Sequence, residues 1–208
     1  MPSEISELVN RAGGGDADAL DELFARYRSR LRRMVTLRLN RRLQGRVDPS
    51  DVIQDAYLEV SRCLAGYLEQ PIVPFFLWLR HITGQKIIAI HRQHLGAQMR
   101  DAGREVSLFR GGFPEATSIV LAAQLLGRMT SPSVAAVRAE TKIQLQEILN
   151  SMEPIDREVL ALRHFEQLNN AEVAHELGIS ESGATRRYLR ALERLQPLVS
   201  DLHEFHER

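Results

Sequence analysis

Apolar residues recur at three- and four-residue steps along most of this chain, and no stretch alternates between apolar and polar residues as a half-buried strand does. This period places the apolar side chains on one face of successive helices. The pattern therefore predicts an all-α protein. The expected helices cover residues 4–12, 17–45, 49–64, 75–93, 140–151, 154–166, 170–177 and 181–198.

A segment rich in glycine and proline separates two helical regions. Residues 96–139 contain several turn-forming residues and only a short apolar stretch near residues 119–126. We expect a flexible linker there, with at most one local helix. The predicted organisation is two small helical domains at 1–95 and 140–200, joined by the linker 96–139 and followed by a frayed tail at 201–208.

The bulk composition narrows the class of protein. Lys and Arg number 27, and Asp and Glu also number 27, so the formal net charge is zero. A protein that binds DNA alone is usually basic, so this neutrality suggests that DNA is not the only partner. No apolar run is long enough to span a bilayer and the polar N-terminus is not a secretory signal, which predicts a cytoplasmic protein without membrane insertion.

Residues that could carry chemistry are sparse. The single cysteine excludes an internal disulfide and a cysteine-built zinc site, and Cys63 is expected in the core. His91 and His94 are three residues apart but lack an evident third ligand. The chain has no glycine-rich phosphate loop, nucleophile elbow or paired catalytic carboxylates. We therefore predict no catalytic residues, no metal, no cofactor and no enzymatic activity.

The sharpest local pattern is NNAEVAHELGISESGATRRYLRALERL, from Asn169 to Leu195. Asn169 and Glu172 have the spacing of a capping box at a helix start. Gly178 supplies the left-handed residue that ends this helix, and Ser180 can cap the next one. The pattern predicts a helix-turn-helix whose second helix reads DNA.

The polar side of the second helix carries the candidate DNA-reading residues. A solvated helix face is the alternative, but the combined turn, cap and basic pattern favours contact with base edges and phosphates. The candidates are Glu181, Ser182, Thr185, Arg186, Arg187 and Arg190.

An acidic group precedes an amphipathic helix in the N-terminal half, in the segment DPSDVIQDAYLEVSRCL. Asp51 and Asp55 are four residues apart and share one helix face. The acids either favour the helix dipole or form a binding face for a basic helical partner, and spacing alone leaves both interpretations open. The candidates for this face are Asp48, Asp51, Gln54 and Asp55.

Taken together, these segments resemble extracytoplasmic-function (ECF) sigma factors of bacterial RNA polymerase. The family has segments similar to ELVNRAGGGDADALDELFARY, DPSDVIQDAYLEV and FFLWLRHITGQKIIAIHRQ, in this order, ahead of a helix-turn-helix. The ending SESGATRRYLRALERL is similar to a planctomycete variant. The resemblance extends from about residue 7 to residue 198, apart from the linker.

The resemblance implies a role for each segment. The acidic helix would dock the β′ coiled coil of core RNA polymerase, whose β and β′ subunits are the expected partners together with promoter DNA and an anti-sigma factor. The 1–95 domain would melt the minus-ten element, and the 140–200 domain would read the minus-thirty-five element. The loop 65–74 and the following helix would hold unpaired bases. The candidates for these contacts are Tyr67, Arg80, His81, Gln85, Lys86 and Arg92.

The aromatic residues near this loop have two interpretations. Phe75, Phe76 and Trp78 can stack on bases or pack in the core, and the apolar stripe that holds Phe75 and Trp78 favours the core. Tyr67, expected in the loop, is the better candidate for base stacking.

This chain departs from the family at two places. Gly84-Gln85 replaces a common arginine-asparagine pair in the melting helix, and Ser182-Gly183-Ala184 replaces a common glycine-threonine-valine in the reader. The base preference therefore cannot be transferred from the family.

The predicted function is promoter-specific initiation of transcription as a sigma factor, in a stress or envelope response. One alternative is a helix-turn-helix regulator that acts without polymerase and binds palindromic sites. Another is a helical adaptor whose basic helix binds only protein.

Overall fold

A computed structural model describes residues 4–99, 116–129 and 135–206. Two parts of the predicted linker, 100–115 and 130–134, and the last two residues of the tail lie outside the described residues. The described part of the chain is helical and contains no strand, as the apolar period predicts. The chain divides into two compact units, Met1–Pro114 and Glu115–Arg208.

The described residues of the first unit form four helices. They are α1 (Glu4–Gly13), α2 (Ala17–Arg38), α3 (Pro49–Glu69) and α4 (Phe75–Met99). Asp16 caps α2 by accepting the Ala19 N–H at 3.1 Å, and Asp48 caps α3 by accepting the Ser50 N–H at 2.7 Å.

Helix α2 ends at Arg38, seven residues before Gly45, where the predicted helix ends. The Gln44 side-chain amide donates to the carbonyl oxygens of Thr36 and Leu39 at 3.3 and 3.2 Å, which satisfies groups at the helix end. The buried His91 ring accepts the Asn40 N–H at 3.0 Å. The His91 contact joins residues 51 positions apart, and the apolar period carries no signal of such a contact.

Helix α3 is longer than predicted because it continues through Gly66 to Glu69. A β-carbon built on Gly66 would meet nothing within 4 Å, so no close contact interrupts the helix there. Tyr67 therefore lies on a helix and not in a loop, and the connection to α4 shortens to residues 70–74. Cys63 is exposed, which corrects its expected place in the core.

The second unit contains α5 (Ser118–Met129), α6 (Ala135–Ser151), α7 (Pro154–Leu160), α8 (Asn170–Leu177) and α9 (Glu181–His206), with one π-helical turn at Ala161–Phe165 after α7. Helix α9 extends into the predicted tail, since no glycine or proline follows Pro197 before residue 206. Gln167, just after the π turn, has a left-handed backbone with φ 60°.

Part of the predicted linker belongs to the second unit. Helix α5 packs against α6 and buries Leu121, Ala122, Leu125 and Leu126. The short apolar stretch seen in the sequence is thus a full helix with a core face, so the second unit is larger than the 140–200 domain predicted from the sequence.

Candidate polymerase and promoter-DNA interfaces

Helix α3 exposes an acidic row on the side away from its core. Val52, Ile53, Ala56, Val60 and Leu64 are buried, whereas Asp48, Asp51, Gln54 and Asp55 are all exposed. Asp48 differs from the others because it also caps the helix, and the backbone hydrogen bond from Ser50 lowers the pKa of its carboxyl group. The dipole interpretation therefore applies to Asp48 and also to Asp51, which lies in the first turn of α3. The exposed side chains of Asp51, Gln54 and Asp55 are also accessible to a partner.

Leu58 extends this row by one helical turn and was missed in the sequence. Its side chain is 46% exposed, on the side of α3 away from the core. Position 58 lies three and seven residues after positions 55 and 51, so it falls on the same face. The helical spacing alone could have placed Leu58 in this row.

The connection 70–74 is held against the first unit by aromatic rings. The Tyr67 ring stacks on Trp78 with centroids 4.5 Å apart, and the Tyr67 hydroxyl donates to the Val73 carbonyl at 2.8 Å. The Phe75 ring completes the cluster, with its centroid 5.9 Å from that of Tyr67 and 5.8 Å from that of Trp78. Ile72, between Pro71 and Pro74, is 82% exposed at the tip of the connection.

These contacts revise the role of Tyr67. One face of the Tyr67 ring stacks on Trp78, and burial raises the pKa of the Tyr67 phenol. Phe75 and Phe76 are buried, so the core interpretation holds for both. The Arg30 guanidinium lies 3.5 Å above the centre of the Phe76 ring, which closes its face.

The predicted polar contacts on α4 separate into buried and exposed residues. Arg80 is 1% exposed and is among the largest fully buried side chains of the described residues, which corrects its assignment to DNA. His81 and Gln85 are exposed and hydrogen bonded to each other at 2.9 Å. Lys86 is half-buried and pairs with Glu59 at 2.8 Å, and Arg92 is exposed.

The pair between Lys86 and Glu59 joins α4 to α3. The hydrogen bond from Lys86 is the largest cause that lowers the pKa of the Glu59 carboxyl. Lys86 therefore has a structural partner, and His81, Gln85 and Arg92 form the more accessible polar set.

The helix-turn-helix has the local geometry predicted for it. Asn169 accepts the Glu172 N–H at 2.8 Å, and the Glu172 carboxylate accepts the Asn169 N–H at 2.9 Å, which completes the capping box. Gly178 is left-handed, with φ 64° and ψ 36°. Ser180 Oγ accepts the Gly183 N–H at 3.1 Å.

A steric constraint explains why position 183 is a glycine, and the sequence did not reveal it. A β-carbon at this position would lie 3.0 Å from Ser180 Oγ, closer than side chains normally approach. The glycine therefore leaves room for the serine cap at the start of α9.

Three of the predicted DNA-reading residues have partners within the second unit. Arg187 Nη1 donates to Asp156 at 2.7 Å and to Glu153 at 3.2 Å, and Arg190 Nη1 lies 3.5 Å from Asp156. Thr185 Oγ1 accepts from the Asn170 side chain at 2.8 Å. These contacts connect α9 to α7 and α8.

The other predicted readers face solvent. Glu181, Ser182 and Arg186 are exposed, and Arg186 makes no ion pair with any described residue. Leu189, which the sequence did not single out, is 51% exposed on the same helix.

Within the described residues no group of histidine, cysteine and carboxylate side chains could hold a metal ion. No helix among the same residues is long and apolar enough to cross a membrane.

A helix-turn-helix that follows a separate helical unit with an exposed acidic helix face in the chain is typical of a transcription factor with DNA and protein partners. The family model for ECF sigma factors matches residues 2–200, and the chain belongs to this family. It is a sigma factor, whose partners are core RNA polymerase and promoter DNA and whose function is the initiation of transcription. Family members regulate transcription and are not enzymes.

Two curated relatives are similar to this chain over most of its length. The ECF RNA polymerase sigma factor SigD of Mycobacterium bovis is 27% identical over 193 residues, covering 92% of this chain and 82% of that protein. BldN of Streptomyces coelicolor, also an ECF sigma factor, is 22% identical over 199 residues, covering 96% of this chain and 67% of that protein.

A solved structure of CnrH in complex with the cytosolic domain of CnrY has a similar fold. The TM-score is 0.51 at 19% identity, and the match covers 93% of this chain and 96% of that chain.

Proposed function

We propose that the exposed row Asp51, Gln54, Asp55 and Leu58 on α3 is the main contact with core polymerase. The carrying observation is that three polar groups and one exposed apolar side chain share the face opposite the buried face of α3. A basic amphipathic helix, such as one helix of the β′ coiled coil, matches this surface in charge and in apolar area. Asp48 contributes mainly by capping the helix.

The minus-ten contacts are assigned to the connection 70–74 and to the exposed side of α4. Ile72 is the most exposed large apolar residue of the described chain, and His81, Gln85 and Arg92 are exposed polar residues on the following helix. Tyr67 positions the connection through its hydrogen bond to the Val73 carbonyl. Lys86 contributes positive charge to this surface from within its ion pair with Glu59. Arg80 has no part in this assignment.

The minus-thirty-five contacts are assigned to the start of α9. Glu181, Ser182 and Arg186 face solvent there, which supports direct contact with base edges. Arg187, Arg190 and Thr185 hold the helix in place, and Arg190 is exposed enough to reach a phosphate as well.

We also propose regulation by an anti-sigma factor in the cytoplasm, in a stress or envelope response. The similar fold of CnrH, which was solved with a bound partner domain, supports a protein partner for this chain. The ending SESGATRRYLRALERL supports a place in the planctomycete-like variant of the family. We expect an anti-sigma factor to compete with core polymerase for α3. An anti-sigma factor that binds this protein while the protein is bound to core polymerase would contradict this proposal.

The primary test combines the protein with core polymerase and fragmented DNA of the source organism, followed by sequencing of the transcripts. We expect new start sites that share a two-part upstream element. The double variant Asp51→Ala and Asp55→Ala should abolish them, whereas Asp18→Ala, an exposed acid on α2, should leave them unchanged. Starts that survive the double variant would reject the α3 interface, and specific DNA binding without any polymerase would favour a stand-alone regulator.

A further inference from the structure

Among the side chains of α9 that the structure describes, Leu189 is the one large apolar side chain exposed on the polar outer face. Leu189 is 51% exposed, whereas Ala184, Ala191 and Leu195 on the opposite face are at most 4% exposed. A single exposed leucine is ordinary in a soluble protein, so its position must decide whether it has a role.

Leu189 lies at the centre of the outer face. It follows Arg186 by three residues and Ser182 by seven, which places the three side chains in one row along the helix. At a rise of about 1.5 Å per residue the row is about 10 Å long, which matches about three base-pair steps of 3.4 Å.

Contacts on both sides of the row fix its direction. Thr185 bonds to Asn170 of α8 on one side, and Arg187 bonds to Asp156 of α7 on the other. The helix therefore cannot rotate to hide Leu189 without breaking these bonds.

The charges next to Leu189 suit duplex DNA, whereas the charge one turn further along the helix does not. Arg186 and Arg190 flank Leu189 and attract phosphates, whereas Glu193, one turn further along the exposed side, repels them. Thymine is the only base that presents an apolar group, its C5 methyl, in the major groove.

We propose that Leu189 is a specificity-determining residue that contacts the C5 methyl group of a thymine in the minus-thirty-five element. The thymine lies one or two base pairs from the base pair read by Arg186. This inference rests on the assignment of α9 to that element and adds the class of base that the helix prefers.

The test replaces thymine with uracil, which removes only the methyl group. Promoter templates carry single thymine-to-uracil changes on either strand of the element, and initiation by the full-length protein with core polymerase is measured. Loss of one buried methyl contact corresponds to about a fourfold weaker association. We expect this loss at one position, next to the base pair whose preference changes in Arg186→Ala.

The variant Leu189→Ala should initiate equally on the thymine and uracil templates at that position. Ile143→Ala is the matched control, because Ile143 is an exposed apolar residue of the same unit, on α6, and should retain the wild-type discrimination. Discrimination that persists in Leu189→Ala, or none at any thymine near the Arg186 base pair, overturns the inference while the element itself still functions. Initiation that does not depend on the element overturns both the inference and the assignment of α9.

Discussion

Arg187 on α9 donates a hydrogen bond of 2.7 Å to the carboxylate of Asp156 on α7, and the Asp156 side chain is only 3% exposed. The two partners differ in their access to water, since the Arg187 side chain is 29% exposed. An arginine expected to read DNA is thus a support for the helix that carries the readers.

This difference predicts unequal effects of removing either partner. Arg187→Ala leaves a buried carboxylate with only the longer contact to Arg190, so it should lower the free energy of unfolding by about 2–4 kcal/mol. Asp156→Ala should cost less, because the freed arginine can turn to solvent. Thermal and urea unfolding measure both, with Arg186→Ala as an exposed neighbour expected within about 0.5 kcal/mol of wild type. An equal or reversed order of the two effects would contradict the argument.

Gln167 offers a route to a more stable protein. Its φ of 60° is unfavourable for a residue with a β-carbon, so Gln167→Gly should raise the free energy of unfolding by about 1 kcal/mol. Gln167→Ala keeps the β-carbon and should give no gain. The urea midpoint at unchanged slope distinguishes the two variants, and equal stabilisation by alanine and glycine would show that backbone strain is not the cause.

His91 should make stability depend on pH. Burial lowers its pKa from the ordinary 6.5, so the folded state favours the neutral ring. The unfolded chain then binds more protons as pH falls below about 6.5, and the free energy of unfolding decreases until the lowered folded pKa is passed. Urea unfolding between pH 7.5 and 5.5 should show this decrease in wild type and a smaller one in His91→Gln. An identical pH dependence in both proteins would exclude His91 as the source.

The hydroxyl of Tyr67 should matter to the connection 70–74. Tyr67→Phe keeps the stacking on Trp78 but removes the bond to the Val73 carbonyl, at a cost of about 1 kcal/mol. We expect weaker promoter opening, measured by permanganate reactivity of unpaired thymines. Tyr57→Phe is the control, since it removes a similar bond to Asp21 on another part of the unit. Equal opening defects in both variants would indicate a general loss of stability.

Interactions that span a few residues were predictable from the sequence. The capping box of Asn169 and Glu172, the left-handed Gly178 and the Ser180 cap are all confirmed, because each depends on neighbours within three or four positions. The all-α fold follows from the apolar period for the same reason.

Interactions between distant residues were not predictable. The contact of His91 with Asn40 spans 51 residues, and that of Arg187 with Asp156 spans 31. Arg80 is an instructive error, since an arginine on a helix near aromatic residues is typical of a nucleic-acid contact but is buried here. Nothing in a single sequence states which side of α4 packs inward when both sides are apolar in part.

On α9 the residues that hold the helix in place differ from the residues proposed to read DNA, and this affects how promoter preference can change. Arg187 and Thr185 anchor the helix, while the side chains of Arg186 and Leu189 are exposed to solvent. Exchanges at the projecting positions leave the anchors intact, so duplicated copies of such a gene can diverge in the sites they recognise while keeping the same thermal tolerance. Two such copies can therefore come to control different sets of genes after a few substitutions, and every intermediate protein still folds.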